Sequence, residues 1–122
     1  MWSLLLLPVG TTVYSQQCTA NAPTNIQSYE RLTVPSGTTM CFSQDLTFGD
    51  LDIQDGASIV VQGGATINAQ YDSSILGNNS NITVNKNGKL IMALSPTGGT
   101  TLGNSNAITV DGDMVFKYDT SF

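Results

Sequence analysis

The sequence of 122 residues has no histidine and only four basic residues, and with nine acidic residues its net charge is −5. Without histidine a Cys–His nucleophile is excluded, and a zinc site is nearly excluded. The scarcity of cations leaves no positive patch to neutralise phosphates, which argues against nucleic-acid partners and anionic membranes. Charged residues make up only 11% of the chain, whereas roughly a quarter is usual. The sequence therefore predicts a largely uncharged, polar surface.

Long apolar runs are also missing, and the apolar run in the first 16 residues is short, from Leu4 to Leu7. A transmembrane helix needs about 20 apolar residues, so no membrane insertion is predicted. Residues 1–16 are nevertheless typical of an export signal, because small residues at Val13 and Ser15 precede a cleavage site. The basic residue that usually begins such a signal is absent, which fits a natural start further upstream. The alternative is a buried N-terminal strand or cap.

Only two cysteines are present, Cys18 and Cys41. An even number in an exported chain favours one disulfide, which would fasten the N-terminal segment to an early strand. A bridge that closes a loop of this length stabilises a fold by about 3 kcal/mol in the chain-entropy model. The alternative leaves Cys41 as a core residue between Met40 and Phe42, with Cys18 free.

The sequence repeats one pattern of apolar and polar residues with glycine at a turn. Residues 32–42 and 51–61 share it at a spacing of nineteen, and residues 76–84 align with 102–110 at a spacing of twenty-six without a gap. Such a repeat predicts an all-β fold, a parallel β-solenoid of the right-handed β-helix type with an irregular N-terminal cap. The two spacings imply coils of unequal length. An antiparallel β-sandwich is the alternative fold.

Short strands are predicted from the alternation of apolar residues and from the turn residues between them, and no stretch has a helical period. Residues 17–30 are expected to form an extended lead-in or cap. Residues 31–122 are expected to form solenoid coils that are truncated at the C-terminus. The predicted strands are residues 31–34, 38–42, 45–48, 51–53, 57–61, 65–69, 73–76, 81–84, 89–94, 100–102, 107–110 and 113–118.

Stacked coils place equivalent residues above one another, about 4.8 Å apart. A corner ladder is therefore expected between Asn78 and Asn104. Glycine is expected where the backbone turns between faces with φ values that other residues reach only at a cost. The predicted core pairs are Leu76 with Leu102, Ile82 with Ile108 and Val84 with Val110, and the predicted turn glycines are Gly37, Gly56, Gly88 and Gly112.

Four features occur together in the first 70 residues: Cys18, the segment from Tyr29 to Gly37, the Thr-Met-Cys-Phe sequence at 39–42, and glycine-rich strand patterns up to Asn68. In these features the chain resembles the N-terminal portion of large secreted and cell-surface β-helix proteins of Bacteroidetes. In that group a short signal ending in Ser-Gln precedes β-helical coils. The resemblance implies export, an extended β-helix and adhesin-like or surface-layer use, often with a C-terminal sorting domain, which no segment of this sequence matches.

The eight aspartates allow two interpretations. Asp55 and Asp111 directly precede glycines, as turn-forming aspartates do. A paired-carboxylate glycosidase or a polysaccharide lyase is the other interpretation, but the few cations lie outside any repeated face. No catalytic residue, cofactor or metal ligand is therefore assigned. Calcium between Asp50 and Asp52, or between Asp111 and Asp113, is a somewhat better hypothesis than an enzyme site, but no loop has the number of ligands of a dedicated calcium site.

Together these features predict an exported structural or adhesive module, secreted or on a bacterial cell surface, that is not an enzyme. Its outer face is expected to contact glycans, matrix or further copies of itself. Unpaired strand edges at an open end attract further strands, so end-to-end stacking into fibres is also expected. The alternative is the N-terminal part of a carbohydrate-active β-helix enzyme, a lyase or glycosidase, whose active site lies outside this chain.

Overall fold

A computed structural model describes residues 18–71, 74–94 and 101–118. The predicted export signal, residues 1–16, lies outside these ranges. Within them the chain forms thirteen strands and no helix, so none of these residues belongs to a helix long and apolar enough to cross a membrane. The strands are β1 (Ala20–Asn21), β2 (Arg31–Val34), β3 (Thr39–Phe42), β4 (Leu46–Phe48), β5 (Asp50–Ile53), β6 (Ser58–Val61), β7 (Thr66–Ala69), β8 (Ile75–Leu76), β9 (Asn81–Val84), β10 (Lys89–Leu94), β11 (Thr101–Leu102), β12 (Ala107–Val110) and β13 (Asp113–Tyr118).

These strands form three parallel sheets, stacked as a β-solenoid of about four turns. Sheet 1 has the order β2-β5-β8-β11, sheet 2 the order β1-β3-β6-β9-β12, and sheet 3 the order β4-β7-β10-β13. Each coil contributes one strand to each sheet in turn: coil 1 is β2–β4, coil 2 is β5–β7, coil 3 is β8–β10 and coil 4 is β11–β13. Every strand pair is parallel. The predicted solenoid is confirmed, and the alternative sandwich is wrong because it requires antiparallel pairs.

The coils are unequal because one corner of the solenoid grows. The first corner, between sheets 1 and 2, has four residues in every coil, from 35–38 in coil 1 to 103–106 in coil 4. The third corner, which links sheet 3 to sheet 1 of the next coil, is the single residue Gly49 after coil 1. After coil 2 it comprises residues 70–74. Leu32 pairs with Leu51, nineteen residues further on, and Leu76 pairs with Leu102, twenty-six residues further on, so both repeat spacings in the sequence are coil lengths.

The core lies between the three sheets and consists of columns of apolar residues. One column in sheet 2 joins Met40, Ile59 and Ile82 through direct register, and all three are buried. The alternation of buried and exposed positions in β2 shows how the sequence builds such columns, because every second side chain of a strand faces inward. The inward-facing β-branched and aliphatic residues cover one another from coil to coil.

The N-terminal end is closed by residues 18–30. Cys18 forms a disulfide with Cys41, whose Cα lies 5.7 Å away, as predicted. Ala20 pairs with Met40 in parallel register, and Ile26 is partly buried against the core. Within the predicted lead-in or cap, Ala20–Asn21 forms strand β1 because it adds to the edge of sheet 2 beside the disulfide.

Two of the predicted turn glycines have the backbone conformation that was expected. Gly37 and Gly56 have φ values of 77° and 75°. Each is the third residue of a four-residue turn, as shown by the bond from the Thr38 N–H to the Pro35 carbonyl, 3.0 Å. A positive φ at this position is the signature of a type II turn and favours glycine. The same position at the second corner of coil 2 is taken by Gly64, with φ 90°, which the sequence analysis missed.

The expectation that Gly88 and Gly112 also need a positive φ is wrong. At the second corner of coil 3 the positive φ, 69°, belongs to Asn87, and Gly88 is the fourth residue of the turn. Glycine is required at 88 because a Cβ would lie 3.0 Å from the Gln62 carbonyl oxygen of the coil below. At Gly112 a Cβ would overlap the carbonyl oxygens of Asn85 and Gly88. Close approach between coils therefore selects both residues.

Candidate functional site

The C-terminal end of the described solenoid exposes the inward-facing side chains of coil 4. Ile108 and Val110 are in register with Ile82 and Val84, as predicted, but their burial is different. Ile82 and Val84 are 1% and 0% exposed, whereas Ile108 and Val110 are 46% and 43% exposed. Both residues stack on the core column of sheet 2, and within the described part of the chain no coil lies above them. Their exposure makes this end an apolar surface.

Sheet 3 contributes to the same surface. Phe116 is in register with Met92, which is fully buried, and Phe116 itself is 44% exposed. Met114 follows Leu90 in the neighbouring column and is partly buried. We call the exposed inward side chains of coil 4, which are Ile108, Val110 and Phe116, the open-end cluster.

Strand edges surround the open-end cluster. Within the described residues β11, β12 and β13 each pair only with the strand of coil 3. Their outer N–H and C=O groups are therefore available to a further strand. Leu102 of β11 pairs with Leu76 in the predicted register. The end of the solenoid thus combines apolar side chains with hydrogen-bonding edges in the pattern that joins the inner coils.

The predicted corner ladder is present, and its hydrogen bonds run from backbone N–H groups to side-chain oxygens of the coil below. The backbone N–H of Asn78 donates to Oδ1 of Asp55 in the coil below, 2.8 Å. The backbone N–H of Asn104 donates in the same way to Oδ1 of Asn78, 2.7 Å. The sequence analysis placed Asn78 and Asn104 correctly and missed that Asp55 begins the ladder. Each side-chain oxygen therefore receives the N–H of the equivalent residue one coil higher.

The ladder requires glycine directly before each upper member. A Cβ at Gly77 would lie 2.6 Å from Oδ1 of Asp55, and a Cβ at Gly103 would lie 2.6 Å from Oδ1 of Asn78. Sequence reasoning did not assign either glycine. The signal was available, because Leu-Gly-Asn occurs at both 76–78 and 102–104. A coil that continues this ladder above Asn104 therefore needs a small residue at the position of Gly103.

Four of the described aspartates have structural contacts. Asp50 and Asp52 each lie 3.7 Å from the guanidinium of Arg31, so the first pair considered for calcium forms ion pairs with an arginine. Oδ1 of Asp45 accepts the backbone N–H of Thr66, 2.9 Å. The described residues contain no group of three or more metal-ligating side chains. These contacts, with that of Asp55 in the ladder, match the interpretation of the aspartates as structural residues.

The disulfide between Cys18 and Cys41 indicates an oxidising environment outside the cytosol. The same bond holds the cap on coil 1. Comparison with protein-family models, with curated proteins and with solved structures gives no match for this chain.

Proposed function

We propose that this chain is an exported structural module with an adhesive role, and that it associates with a second copy through its open end. The observation that carries the proposal is the open-end cluster, which exposes side chains whose register partners one coil below are buried. Covering apolar surface is favourable by about 25 cal/mol per Å². A second β-surface can cover it while pairing with the free edges of coil 4.

In this proposal the open end of one copy binds the open end of a second copy. The opposite end of a second copy is closed by residues 18–30, which are held by the disulfide. Coil 1 also carries Pro35 at the position that corresponds to Gly103. Its ring would meet Oδ1 of Asn104, where the ladder requires glycine. Head-to-tail stacking of two such chains is therefore disfavoured, and we propose that they pair through their open ends as a dimer; the fibre expected from the sequence is the competing outcome.

A two-fold axis through the middle of sheet 2 allows this dimer. Such an axis pairs β12 of one copy with β12 of the other in antiparallel direction, and it brings β13 opposite β11. Symmetric dimers of this kind present the same surface on both copies. Ile108 and Val110 of the two copies then meet near the axis. The small area of a solenoid end predicts a weak dimer, since stable interfaces bury about 800 Å² per partner.

Sedimentation velocity over a range of protein concentrations tests this proposal. We expect a reversible shift from monomer to dimer for the exported chain. Phe116→Lys should abolish the shift, because it places a charge in the open-end cluster. Val115→Lys is the matched control: it lies on the outer face of the same strand and should still dimerise. A monomer at every concentration, an equal loss in both variants, or long filaments would each contradict the proposed dimer.

Export is tested separately by mass spectrometry of the secreted chain. We expect an N-terminus near residue 17 and a mass lower by two hydrogens, as cleavage of the signal and the disulfide require. An uncleaved chain that stays inside the producing cell would refute the proposed export without bearing on the dimer.

A further inference from the structure

The cap covers the lower ends of the same core columns whose upper ends are exposed at coil 4. From the lowest to the highest described member, the three columns run from Met40 to Ile108, from Phe42 to Val110 and from Phe48 to Phe116. The three lower members are at most 7% exposed, whereas the three upper members are at least 43% exposed. Among the described residues it is the cap that lies below coil 1. The cap therefore accounts for the difference between the two ends.

The cap is thin and makes few contacts of its own. None of residues 18–30 is buried, and the strand that they contribute, β1, has two residues. The backbone N–H groups of Thr19 and Ala22 donate to carbonyls of β3, each at 2.9 Å. The disulfide fastens this segment at Cys18, where the described chain begins. Because a terminal segment with so few contacts opens easily, the bridge is what keeps the cap closed.

The bridge can be reduced from the side of Cys18. This residue is exposed, whereas Cys41 is 3% exposed. A thiolate of a small dithiol attacks the sulfur of Cys18 and forms a mixed disulfide with it, and Cys41 leaves as a thiolate that takes up a proton. The second thiol of the reductant then releases Cys18. The chain gains two electrons and two protons, and the dithiol becomes a cyclic disulfide.

We propose that the disulfide-bound cap covers a second association surface, and that a second copy binds there once the bridge is reduced. We call its side chains, which are Met40, Phe42 and Phe48, the N-terminal cluster. Each of them is the lower end of a column whose upper end belongs to the open-end cluster. Strands β2 and β4 are the lower edges of their sheets, and β3 becomes one when β1 leaves. Apolar side chains framed by free strand edges attract a further β-surface.

The partner at this surface is the N-terminal cluster of the second copy. The open end of another copy fits less well, because Pro35 would meet Oδ1 of Asn104 there. Two N-terminal clusters can instead meet about a two-fold axis through sheet 2, which pairs β3 with β3 in antiparallel direction and brings β4 opposite β2. The cluster contains no charged residue, so it does not repel its own copy.

The bridge then determines how far the assembly grows. With the cap closed, copies associate through their open ends alone. With the cap released, each copy has two association surfaces, and linear assemblies of alternating contacts form. This growth rests on the proposed open-end dimer, whereas association through the N-terminal cluster does not.

Sedimentation velocity of the exported Phe116→Lys chain tests the N-terminal surface by itself, since the added charge blocks the open end. We expect a monomer in the oxidised state and a concentration-dependent dimer after treatment with dithiothreitol. Adding Met40→Lys should keep the reduced chain monomeric. Thr39→Lys is the matched control, because it lies on the outer face of the same strand, and it should still allow the dimer. The reduced parent chain should form assemblies longer than a dimer.

Amide hydrogen exchange tests the release of the cap. The Thr39 N–H donates to Oγ1 of Thr19 in the cap, 2.9 Å, whereas the Ser58 N–H donates to the Thr38 carbonyl between coils 1 and 2, 2.8 Å. At a concentration where the chain is monomeric, reduction should speed the exchange of Thr39 about tenfold or more and leave that of Ser58 unchanged. Circular dichroism should show that the coils keep their strands.

Four results would overturn the inference: a reduced Phe116→Lys chain that stays monomeric, unfolding of the coils on reduction, unchanged exchange at Thr39, or equal effects of Met40→Lys and Thr39→Lys. Each of them leaves the open-end dimer of the oxidised parent intact. An oxidised parent that never dimerises would refute the proposed function instead, and dimerisation of the reduced Phe116→Lys chain would still support the N-terminal surface.

Discussion

Replacing either of two isoleucines by alanine should have unequal effects on stability, although both occupy the same position in successive coils. Ile82 and Ile108 are direct register partners in sheet 2, so each occupies the same position in its strand. Ile82 is 1% exposed, and Ile108 is 46% exposed. The difference between the two variants therefore isolates the effect of a covering coil.

The magnitudes follow from burial. Ile82→Ala removes a fully buried side chain and leaves a cavity between coils 2 and 4, which costs about 3–4 kcal/mol. Ile108→Ala removes a side chain that is about half exposed and creates no enclosed cavity. Full burial of an isoleucine contributes about 2 kcal/mol, so the expected loss at Ile108 is about 1 kcal/mol.

The assay is equilibrium urea unfolding with the disulfide intact, at a protein concentration where the chain is monomeric. Both variants should keep the m-value of the parent, because the surface exposed on unfolding is nearly unchanged. The free energies of unfolding should differ by about 2–3 kcal/mol. Equal losses would refute the reasoning, since they would mean that Ile108 is covered as fully as Ile82 in the isolated chain. If the dimer forms, raising the protein concentration should increase the loss of unfolding free energy caused by Ile108→Ala.

Three further substitutions test the cap, the ladder and the second corner by the same urea method. Replacing Cys18 and Cys41 together by serine should lower the free energy of unfolding by about 3 kcal/mol, and an unchanged midpoint would show that the cap needs no bridge. Gly77→Ala should lower the free energy of unfolding by about 2–3 kcal/mol, because its Cβ crowds the corner ladder. Gly56→Ala has open space around its Cβ but a positive φ, so it should lower the free energy of unfolding by about 1 kcal/mol. A larger loss for Gly56→Ala than for Gly77→Ala would contradict the crowding. Asn87→Gly should leave the free energy of unfolding unchanged or raise it by up to about 1 kcal/mol, because glycine adopts the φ of 69° at this position without strain. A clear loss of stability would mean that the asparagine side chain stabilises the fold by more than its backbone strain destabilises it.

The strands of coils 1 to 4 could be predicted from the sequence because each has a local signal. In β9, for example, Ile82 and Val84 alternate with polar residues, and turn residues precede and follow them. Strand β1 could not be predicted in the same way. Ala20 and Asn21 have little β propensity, and the strand exists because it pairs with β3. Its formation depends on a contact between residues about twenty positions apart.

The burial of residues at the open end could not be predicted from the sequence, for a related reason. Ile82 and Ile108 lie in nearly identical sequence patterns, but among the described strands Ile82 has a coil on both sides and Ile108 on one side. The pattern of a strand gives the face that points inward and does not give what lies above it. The glycines show a similar limit, since a glycine can be selected by a positive φ, as at Gly56, or by close approach of a neighbouring coil, as at Gly88.

In this fold, equivalent residues of successive coils lie directly above one another in parallel strands. Nuclear Overhauser contacts measured on the labelled chain test this stacking at the outward-facing positions of sheet 2. Parallel stacking predicts contacts from Val60 to Thr83 and from Thr83 to Thr109, each across about 4.8 Å of strand spacing. Antiparallel contacts between consecutive segments, such as Leu32 with Phe42, would contradict it.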